Sequence, residues 1–386
     1  MIKFSTAGES HGRGLATIIE GIPAGLEIDI AAINADLFRR QQGYGRGARM
    51  AIESDKVEVI SGIRHGKAMG SPICLLVKNK DFENWQDIMS AEATGFKSPL
   101  LSRPRPGHAD LAGLIKYGTN DFRNILERAS ARETAVRVAA GAVFKALLKA
   151  FGINVLSFVN QTGAAKLNTA SFKNIADLIK KAESSQVRCP DDKTSQKMIS
   201  EIKRAALKGD TLGGQVTVMA LGLPVGLGSH TQWDQKLDGR LAQSLMSVQA
   251  VKAVEVGAGT EYAGLAGSKA HDEIFYSKQK GFYRNTNNAG GIEGGISNGE
   301  ALVVKATMKA IPSLTRPLKS VNIKTKKTEV AEAVRSDVSA VAACAVVCEA
   351  AVSFELARAL KEKFGGDSIA EMLCNYKCYT KEARKV

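Results

Sequence analysis

Residues 337–364 read DVSAVAACAVVCEAAVSFELARALKEKF, a run that puts small apolar residues on almost every face of a helix. A helix that is apolar all round is buried among other elements and does not lie on the surface. Ser336 and Asp337 are typical of a helix start, with Asp337 as the N-cap, and Gly365 and Gly366 are typical of a helix end. We therefore predict a long buried helix near the end of the chain.

A second run of this kind, ETAVRVAAGAVFKALLKAF, occupies residues 133–151. Two buried helices made of small residues need apolar cover on both sides. Segments 17–19 and 215–219 are rich in β-branched residues and end at Gly-Ile-Pro or Gly-Leu-Pro turns, which predicts short strands. The expected fold is α+β, with a central layer of helices between antiparallel sheets.

The two halves of the chain show a diverged internal duplication. Three pairs of segments match in the same order and are separated by roughly two hundred residues: 16–26 with 216–227, 57–62 with 254–259, and 147–152 with 360–365. Any one match is weak, but three in order favour duplication. We predict a single two-lobed domain over 1–386, with halves 1–168 and 210–386 joined by a helical connection, 169–209.

The composition is that of an ordinary globular protein, with 44% apolar and 24% charged residues. No apolar run is long enough to span a bilayer, and the N-terminus lacks a signal-peptide stretch, so we expect a cytoplasmic protein with no membrane partner. The six cysteines form no CxxC pair. Cys344 and Cys348 are predicted to pack as small hydrophobic residues. A zinc site that combines them with Cys374 and Cys378 is the less favoured alternative, so no metal is expected.

The net charge of +14 favours an anionic partner, either nucleic acid or a small, highly charged substrate. Segment 38–50, FRRQQGYGRGARM, separates four arginines with glycines and forms a loop able to fold over a polyanion. RNA binding through this loop is the alternative interpretation. Aromatic residues make up only 6% of the chain and are not interleaved with the arginine-rich stretches, which argues against a base-stacking surface.

Two histidines lie in glycine-rich settings that suit an anion: GESHG at 8–12 and RPRPGHAD at 103–110. Histidine exchanges a proton near neutral pH, and arginine binds carboxylate or phosphate with a rigid fork. For either histidine alone, an ordinary residue beside a turn is the simpler interpretation. Both together, with the arginines of 128–134 at the start of the first buried helix, predict proton donors beside a bound polyanion.

The segment NNAGGIEGGISNG at 287–299 is rich in glycine, so its bare backbone can pack against a planar ring, although a tight loop is an equal alternative. Together, the motifs resemble those of the chorismate synthase family. The segments that match its signatures, in order along essentially the whole chain, are 8–12, 103–110, 128–133, 247–252, 288–299, 309–313 and 335–337.

The resemblance implies an enzyme of the shikimate pathway that converts 5-enolpyruvylshikimate 3-phosphate to chorismate and phosphate. The implied reaction is an anti-1,4-elimination that depends on reduced FMN without net redox change. A β-α-β sandwich with pseudo-twofold symmetry, a homotetramer and no nucleic-acid partner are also implied. An NADPH-dependent flavin reductase is the alternative within enzymes. Because the sequence shows no nicotinamide fingerprint, NADPH is expected only as an indirect source of electrons.

The resemblance also assigns roles to residues. His108 is matched to the acid that protonates the leaving phosphate, His11 to the group that protonates the reduced flavin, and Asp337 to a proton relay at flavin N5. The implied substrate contacts are Ser10, His11, Arg40, Arg46, Arg49, Arg105, Arg132 and Arg335. The implied flavin contacts are Arg128, Ala129, Ser130, Gln249, Ala250, Gly294, Lys309, Ala310, Ile311, Pro312, Ser313 and Arg335. Ala129 stands where the family often has serine, so a backbone contact is expected there, and Ala310 replaces a frequent proline in the loop that should meet the flavin phosphate.

Overall fold

The computed structural model describes residues 1–47, 54–93, 96, 100–168, 175–332 and 337–386. The strands are β1 (Lys3–Gly8), β2 (Gly14–Glu20), β3 (Val57–Ser61), β4 (Ile63–Arg64), β5 (Lys67–Ala68), β6 (Ile73–Lys78), β7 (Asn154–Thr162), β8 (Ala165–Lys166), β9 (Gly214–Leu221), β10 (Val251–Val256), β11 (Ile274–Ser277), β12 (Gly281–Arg284), β13 (Ile292–Glu293), β14 (Ile296–Ser297), β15 (Leu302–Met308), β16 (Lys319–Val321) and β17 (Thr328–Val330). The α-helices are α1 (Ile30–Gln41), α2 (Asp110–Tyr117), α3 (Arg123–Ala129), α4 (Thr134–Ala150), α5 (Ile175–Ser184), α6 (Asp192–Leu207), α7 (Leu237–Met246), α8 (Gly267–Ala270), α9 (Val341–Phe364) and α10 (Ile369–Ala383).

The main strands form two antiparallel sheets. The first has the strand order β1-β2-β6-β3, and the second has the order β10-β15-β9-β7-β8. Buried and half-buried residues alternate strictly along β15, as expected for a strand that packs one face on a core. The predicted α+β class with antiparallel sheets is therefore confirmed.

The long helices α4 and α9 pack on one another between the sheets. Helix α4 lies against β2 and β6 of the first sheet, while α9 lies against β7 and β9 of the second. Their approach is close because a small residue stands on each side: a Cβ atom added to Gly141 would lie 2.3 Å from the Cβ of Ala350. This contact explains why both helices are built from small residues.

The two sheets share one topology. In each structural half, the first beginning at β1 and the second at β7 (Asn154–Thr162) rather than at residue 210, two main-sheet strands are followed by a helix (α1 or α7), two further main-sheet strands, and then the long buried helix. The strands β1, β2, β3 and β6 occupy the same relative positions as β7, β9, β10 and β15. Gly21 and Gly222 end the second strand of each half with similar backbone angles, φ +83° and +79°, and a Cβ on either would collide with a backbone oxygen at 2.6 Å.

Helix α9 begins later than the sequence predicts. Its first residue is Val341 and its N-cap is Ala340, so the interpretation of Asp337 as the cap is wrong. The predicted end is confirmed, because Gly365 follows the helix with φ +56°. Cys344 and Cys348 are both buried inside α9, as the packing prediction required.

The segment predicted as a helical connection, 169–209, contains the helices α5 and α6, while residues 169–174 lie outside the described part. Both helices lie between β7 and β9 in the chain. Among the residues that the structure covers, no helix has both the length and the apolar character needed to cross a membrane.

Candidate active site

His11 lies in the tight turn between β1 and β2. The turn begins at Gly8, whose φ of +106° and whose contact with Gly14 leave no room for a side chain: a Cβ would lie 2.3 Å from the Gly14 carbonyl oxygen. The Ser10 backbone N–H donates to the Glu127 carbonyl at 3.1 Å, and the His11 backbone N–H donates to the Glu127 carboxylate at 2.8 Å. The turn is thus held against the end of α3.

The His11 ring is held on two sides. Its Nδ1 lies 2.9 and 3.0 Å from the two carboxylate oxygens of Glu127, which is only 2% exposed. The ring also stacks on Trp85, with centroids 3.9 Å apart. A carboxylate only accepts hydrogen bonds, so the proton of neutral His11 belongs on Nδ1. Proton exchange with a ligand is therefore left to Nε2.

An arginine cluster lies behind this turn and consists of the buried Arg40, Asp55 and Arg132 and the partly buried Arg46 and Asp337. Arg132 binds Asp55 with two hydrogen bonds, of 2.6 and 2.8 Å, and Arg40 binds the same carboxylate at 3.2 Å. Arg46 pairs with Asp337 at 3.0 Å, and the Asp337 carboxylate also accepts the backbone N–H of Gly47 at 2.6 Å. Asp337 thus binds the arginine-rich loop.

This arginine cluster is crowded with positive charge. The pKa of Arg40 is lowered to about 10, first because the group is buried and then because Arg132 and Arg46 lie nearby. Asp55 and Asp337 act in the opposite direction but do not outweigh these effects. An anion bound here would relieve the repulsion.

His108 belongs to a second group, the His108 cluster, which consists of the buried Arg105, Asp110 and Ser313 and the partly exposed His108 and Lys309. Arg105 binds Asp110 through Nε at 2.9 Å and donates to the Ser313 hydroxyl at 2.8 Å. The Nδ1 atom of His108 hydrogen-bonds to Asp110, and Lys309 donates to the carbonyl of Gly107. Residues from both halves of the chain therefore fix the His108 segment.

Asp110 determines the tautomer of His108. Burial alone would raise the pKa of Asp110, but hydrogen bonds from His108 and Arg105 and the charge of Arg105 outweigh it and lower the pKa to about 2. The ionised carboxylate accepts the Nδ1 proton, so Nε2 is again the nitrogen left for a ligand. Arg105 lies 3.1 Å from the same Nδ1. Since both groups are then donors, this contact is not a hydrogen bond.

Hydrogen bonds connect the three groups. The Asn79 side chain donates to the carbonyls of Glu9 and Gly12 in the His11 turn and accepts from Arg132 at 2.9 Å. A second path runs from the arginine cluster to the His108 cluster and begins at Val338, the residue after Asp337. The Val338 N–H donates to the Gly45 carbonyl, and the Val338 carbonyl accepts the Leu212 N–H. Beside Leu212, the Thr211 hydroxyl donates to the Ile311 carbonyl at 2.7 Å, two residues before Ser313.

The flavin contacts predicted from the sequence fall in several segments. Arg128 donates to the Gly8 carbonyl at 3.1 Å and to Thr6, and Ser130 donates to the Ser10 hydroxyl at 3.1 Å, so segment 128–130 lies beside the His11 turn. Ala250 adopts φ +70°, unusual for a residue with a side chain, and its carbonyl accepts the Lys309 N–H at 2.9 Å. This bond brings segment 249–250 next to segment 309–313. Gly294 has φ +59°, and open space lies where a side chain would be.

Two predicted site residues, Arg49 and Arg335, lie outside the described residues. Sequence reasoning missed several polar and aromatic groups that hold the predicted ones: Asp55, Asn79, Trp85 and Glu127. Asp110 was part of a quoted motif, but no role was assigned to it. Only Glu127 had a local signal, since it directly precedes Arg128 in a predicted contact segment.

Comparisons with known proteins agree over the whole chain. The sequence model of the family described as "Chorismate synthase" matches residues 2–360. The chorismate synthase of Endomicrobium trichonymphae is 62% identical over 379 residues, 98% of each chain, and that of Symbiobacterium thermophilum is 52% identical over 99% of each chain. A solved structure, "Crystal Structure of Chorismate Synthase", matches with a TM-score of 0.81 and 40% identity over 100% of this chain and 99% of that one.

These matches place the chain among phosphate-eliminating lyases. The chain belongs to the chorismate synthase family, as the motif resemblance predicted. Full-length relatives at 51–62% identity give it that family's activity in the shikimate pathway. The family uses reduced FMN.

Proposed function

We propose that this chain converts 5-enolpyruvylshikimate 3-phosphate to chorismate and phosphate in a site formed by the His11 turn, the arginine cluster and the His108 cluster. The observation that carries this proposal is the convergence of Arg40 and Arg132 on the single carboxylate of Asp55, with burial first and then the neighbouring arginines lowering the pKa of Arg40. The substrate carries two carboxylates and a phosphate, and an anion of that kind offsets the repulsion among Arg40, Arg46 and Arg132. The predicted contacts of Ser10, Arg49, Arg105 and Arg335 complete the substrate set in this proposal.

In this proposal the two histidines move protons through Nε2. Protonated His108 donates its Nε2 proton to the leaving phosphate, and the Asp110 carboxylate holds the Nδ1 side of the ring during the transfer. His11 also acts through Nε2. Glu127 binds the Nδ1 atom of His11, just as Asp110 binds the Nδ1 atom of His108. Each carboxylate fixes the ring orientation and stabilises the imidazolium form.

The residues of the candidate flavin segments fit a planar, polar ring. The Gln249 Oε1 atom is buried and has no hydrogen-bond partner among the described residues, so it offers an acceptor to a ligand. The open space at Gly294 leaves room for close approach of a ring. We propose that Arg128, Ala129, Ser130, Gln249, Ala250, Gly294 and the segment 309–313 hold FMN, together with Arg335. When bound, reduced FMN supplies an electron-rich ring beside the substrate.

Asp337 is proposed to hold and return a proton at flavin N5. Its carboxylate is bound to Arg46 and to the Gly47 N–H, so it is fixed at the base of the arginine-rich loop. NADPH is proposed only as an indirect source of electrons.

We further propose that the chain is a single two-lobed domain produced by internal duplication, a β-α-β sandwich with pseudo-twofold symmetry. The equal strand order of the two sheets supports the duplication, and the contact of α4 with α9 supports a shared core. The homotetramer and the cytoplasmic location are proposed from the family resemblance and the sequence.

The test is an anaerobic assay of the purified chain with 5-enolpyruvylshikimate 3-phosphate and dithionite-reduced FMN. We expect chorismate and phosphate to form in equal amounts, with turnover only when reduced FMN is present. A spectroscopic titration with FMN in the absence of substrate measures cofactor binding separately. Chorismate formation without FMN, or no binding of FMN, would contradict the proposed cofactor role.

A further inference from the structure

Glu133 is a buried carboxylate that no proposed catalytic step uses. It accepts hydrogen bonds from Thr6 Oγ1 at 2.7 Å, from Arg137 Nε at 2.9 and 3.0 Å, and from Gln249 Nε2 at 2.9 Å. These donors come from β1, from α4 and from the segment before β10. Glu133 therefore ties a predicted flavin-contact residue, Gln249, to the first turn of the central helix layer.

Glu133 is ionised at neutral pH. Burial works to raise its pKa, but the charge of Arg137 and the hydrogen bonds from Gln249, Arg137 and Thr6 outweigh burial and hold the pKa below its ordinary value. An ionised carboxylate has acceptor oxygens only. The Glu133 carboxylate can therefore bind only the –NH₂ group of the Gln249 amide, and this group must face Glu133.

This requirement fixes the direction of the Gln249 amide. With Nε2 turned to Glu133, the amide oxygen Oε1 points the other way, where it is buried without a hydrogen-bond partner among the residues that the structure describes. A buried acceptor without a partner is costly, and such groups in native proteins are explained by a function or a bound molecule. The missing partner must be a donor, an N–H or O–H group.

We propose that Glu133 is a positioning residue that presents Gln249 Oε1 as the hydrogen-bond acceptor for the N–H at N3 or at N5 of the flavin ring. The inference rests on the proposed function, since it takes Gln249 to lie in the flavin site. The flavin ring has an N–H at N3 in both redox states and gains another at N5 on reduction. Either can serve as the donor, and flavin analogues distinguish them.

The first test leaves the protein unchanged and alters the ligand. N3-methyl-FMN lacks the N–H at N3, and reduced 5-deaza-FMN lacks the N–H at N5. We expect wild-type protein to bind one of these two analogues about tenfold more weakly than FMN in the same redox state, because that analogue lacks the N–H that donates to Gln249. The weaker analogue identifies the ring position. If both analogues bind as tightly as FMN, the inference is overturned.

The second test alters the protein. In Gln249→Leu the chosen analogue and FMN should bind equally, because the acceptor is gone. Glu133→Gln can both donate and accept, so Gln249 is free to turn over, and we expect FMN affinity to fall by about tenfold with the fold intact. Ser247→Ala is the matched control: it removes a hydroxyl that binds Arg137 but leaves the Glu133–Gln249 contact in place, and FMN affinity should change less than about twofold.

The outcomes separate this inference from the proposed function. If the wild-type chain fails to bind FMN at all, the proposed cofactor role fails and the inference falls with it. If the wild-type chain binds FMN but Glu133→Gln binds it equally well, only the positioning role of Glu133 is overturned.

Discussion

The Nδ1 atom of His11 lies 2.9 Å from the carboxylate of Glu127, a residue 116 positions further along the chain. The same carboxylate accepts the backbone N–H of His11, so one buried side chain fixes both the ring and the turn that carries it. The cation of Arg123 and the His11 ring both lie against Trp85, at 5.5 and 3.9 Å. His11 and His108 therefore have the same arrangement, in which a carboxylate binds the Nδ1 atom of the ring.

Glu127→Gln should lower turnover by at least about tenfold, because the amide can donate to Nδ1 and so move the proton of neutral His11 to Nε2. His11→Ala should lower turnover by ~10²–10⁴-fold. The double variant should be no slower than His11→Ala, since the two residues act as a unit. Steady-state assays with dithionite-reduced FMN give these values. Glu58→Gln, which alters an exposed pair with Lys78, is the control.

His108→Ala should reduce turnover by ~10²–10⁴-fold while FMN binding is retained. Asp110→Asn should also slow turnover, because asparagine cannot hold the Nδ1 proton as the carboxylate does. His230→Ala, at an exposed histidine, is the matched control and should be silent. Near wild-type turnover of His108→Ala would remove this residue from the mechanism.

Asp337→Asn should lower turnover by at least ~10²-fold, with FMN binding intact and stability within ~1 kcal/mol of wild type. Asparagine can still accept the Gly47 N–H, but it cannot exchange a proton as the carboxylate does. Asp29→Asn is a sharp control, because Asp29 caps α1 by accepting the Ala31 N–H and asparagine caps equally well. If Asp337→Asn retains most of its activity, the proton-relay role is wrong.

Glu349→Gln should lower the free energy of unfolding by about 3–5 kcal/mol, because the fully buried carboxylate of Glu349 is shared by Arg39, Lys145 and Arg188. Burial acts to raise the pKa of Glu349, but these three cations outweigh it and hold the pKa far below its ordinary value. The stabilisation is thus complete above the unfolded pKa of about 4.3 and is lost as the pH falls below it.

Denaturant unfolding at several pH values tests this prediction. The difference between wild type and Glu349→Gln should be constant from pH 7 to 5 and should shrink below about pH 4. Glu20→Gln, at the exposed pair with Lys3, should change stability by less than about 1 kcal/mol. A Glu349→Gln difference as small as that of Glu20→Gln would contradict a stabilising role for the ion pairs of Glu349 with Arg39, Lys145 and Arg188.

Gly141→Ala tests the shared core. Alanine is favoured over glycine in a helix by about 1 kcal/mol, but its methyl group would lie 2.3 Å from the Cβ of Ala350, and overpacking costs about 1–3 kcal/mol. We expect net destabilisation, with hydrogen-exchange protection lost in α4 and α9 together. Gly264→Ala, where a Cβ meets nothing within 4 Å, should be neutral. Loss of protection in α4 alone would argue for two independent lobes.

Local sequence patterns predict the buried helices and the fold class, and they make His11 and His108 the candidates for proton transfer. Apolar residues on all faces of 133–151 and 337–364 leave burial as the only stable solution for a helix. Gly8 and Gly12, on either side of His11, permit the backbone angles and the close approach that a tight turn needs. These are local patterns, and each can be interpreted without knowing which distant segment lies beside it. The same patterns carried the family resemblance.

How these residues are held depends on contacts between segments that are far apart in the chain. Nothing near His11 in the sequence indicates that Glu127 binds its ring, or that Asp55 lies between Arg40 and Arg132. The start of α9 at Val341, four residues after Asp337, depends in the same way on a distant contact, because Asp337 binds Arg46 and Gly47 instead of capping the helix. A carboxylate has the same local signature whether it caps a helix or pairs with an arginine. Which of these it does is settled by the packing of segments far apart in the chain.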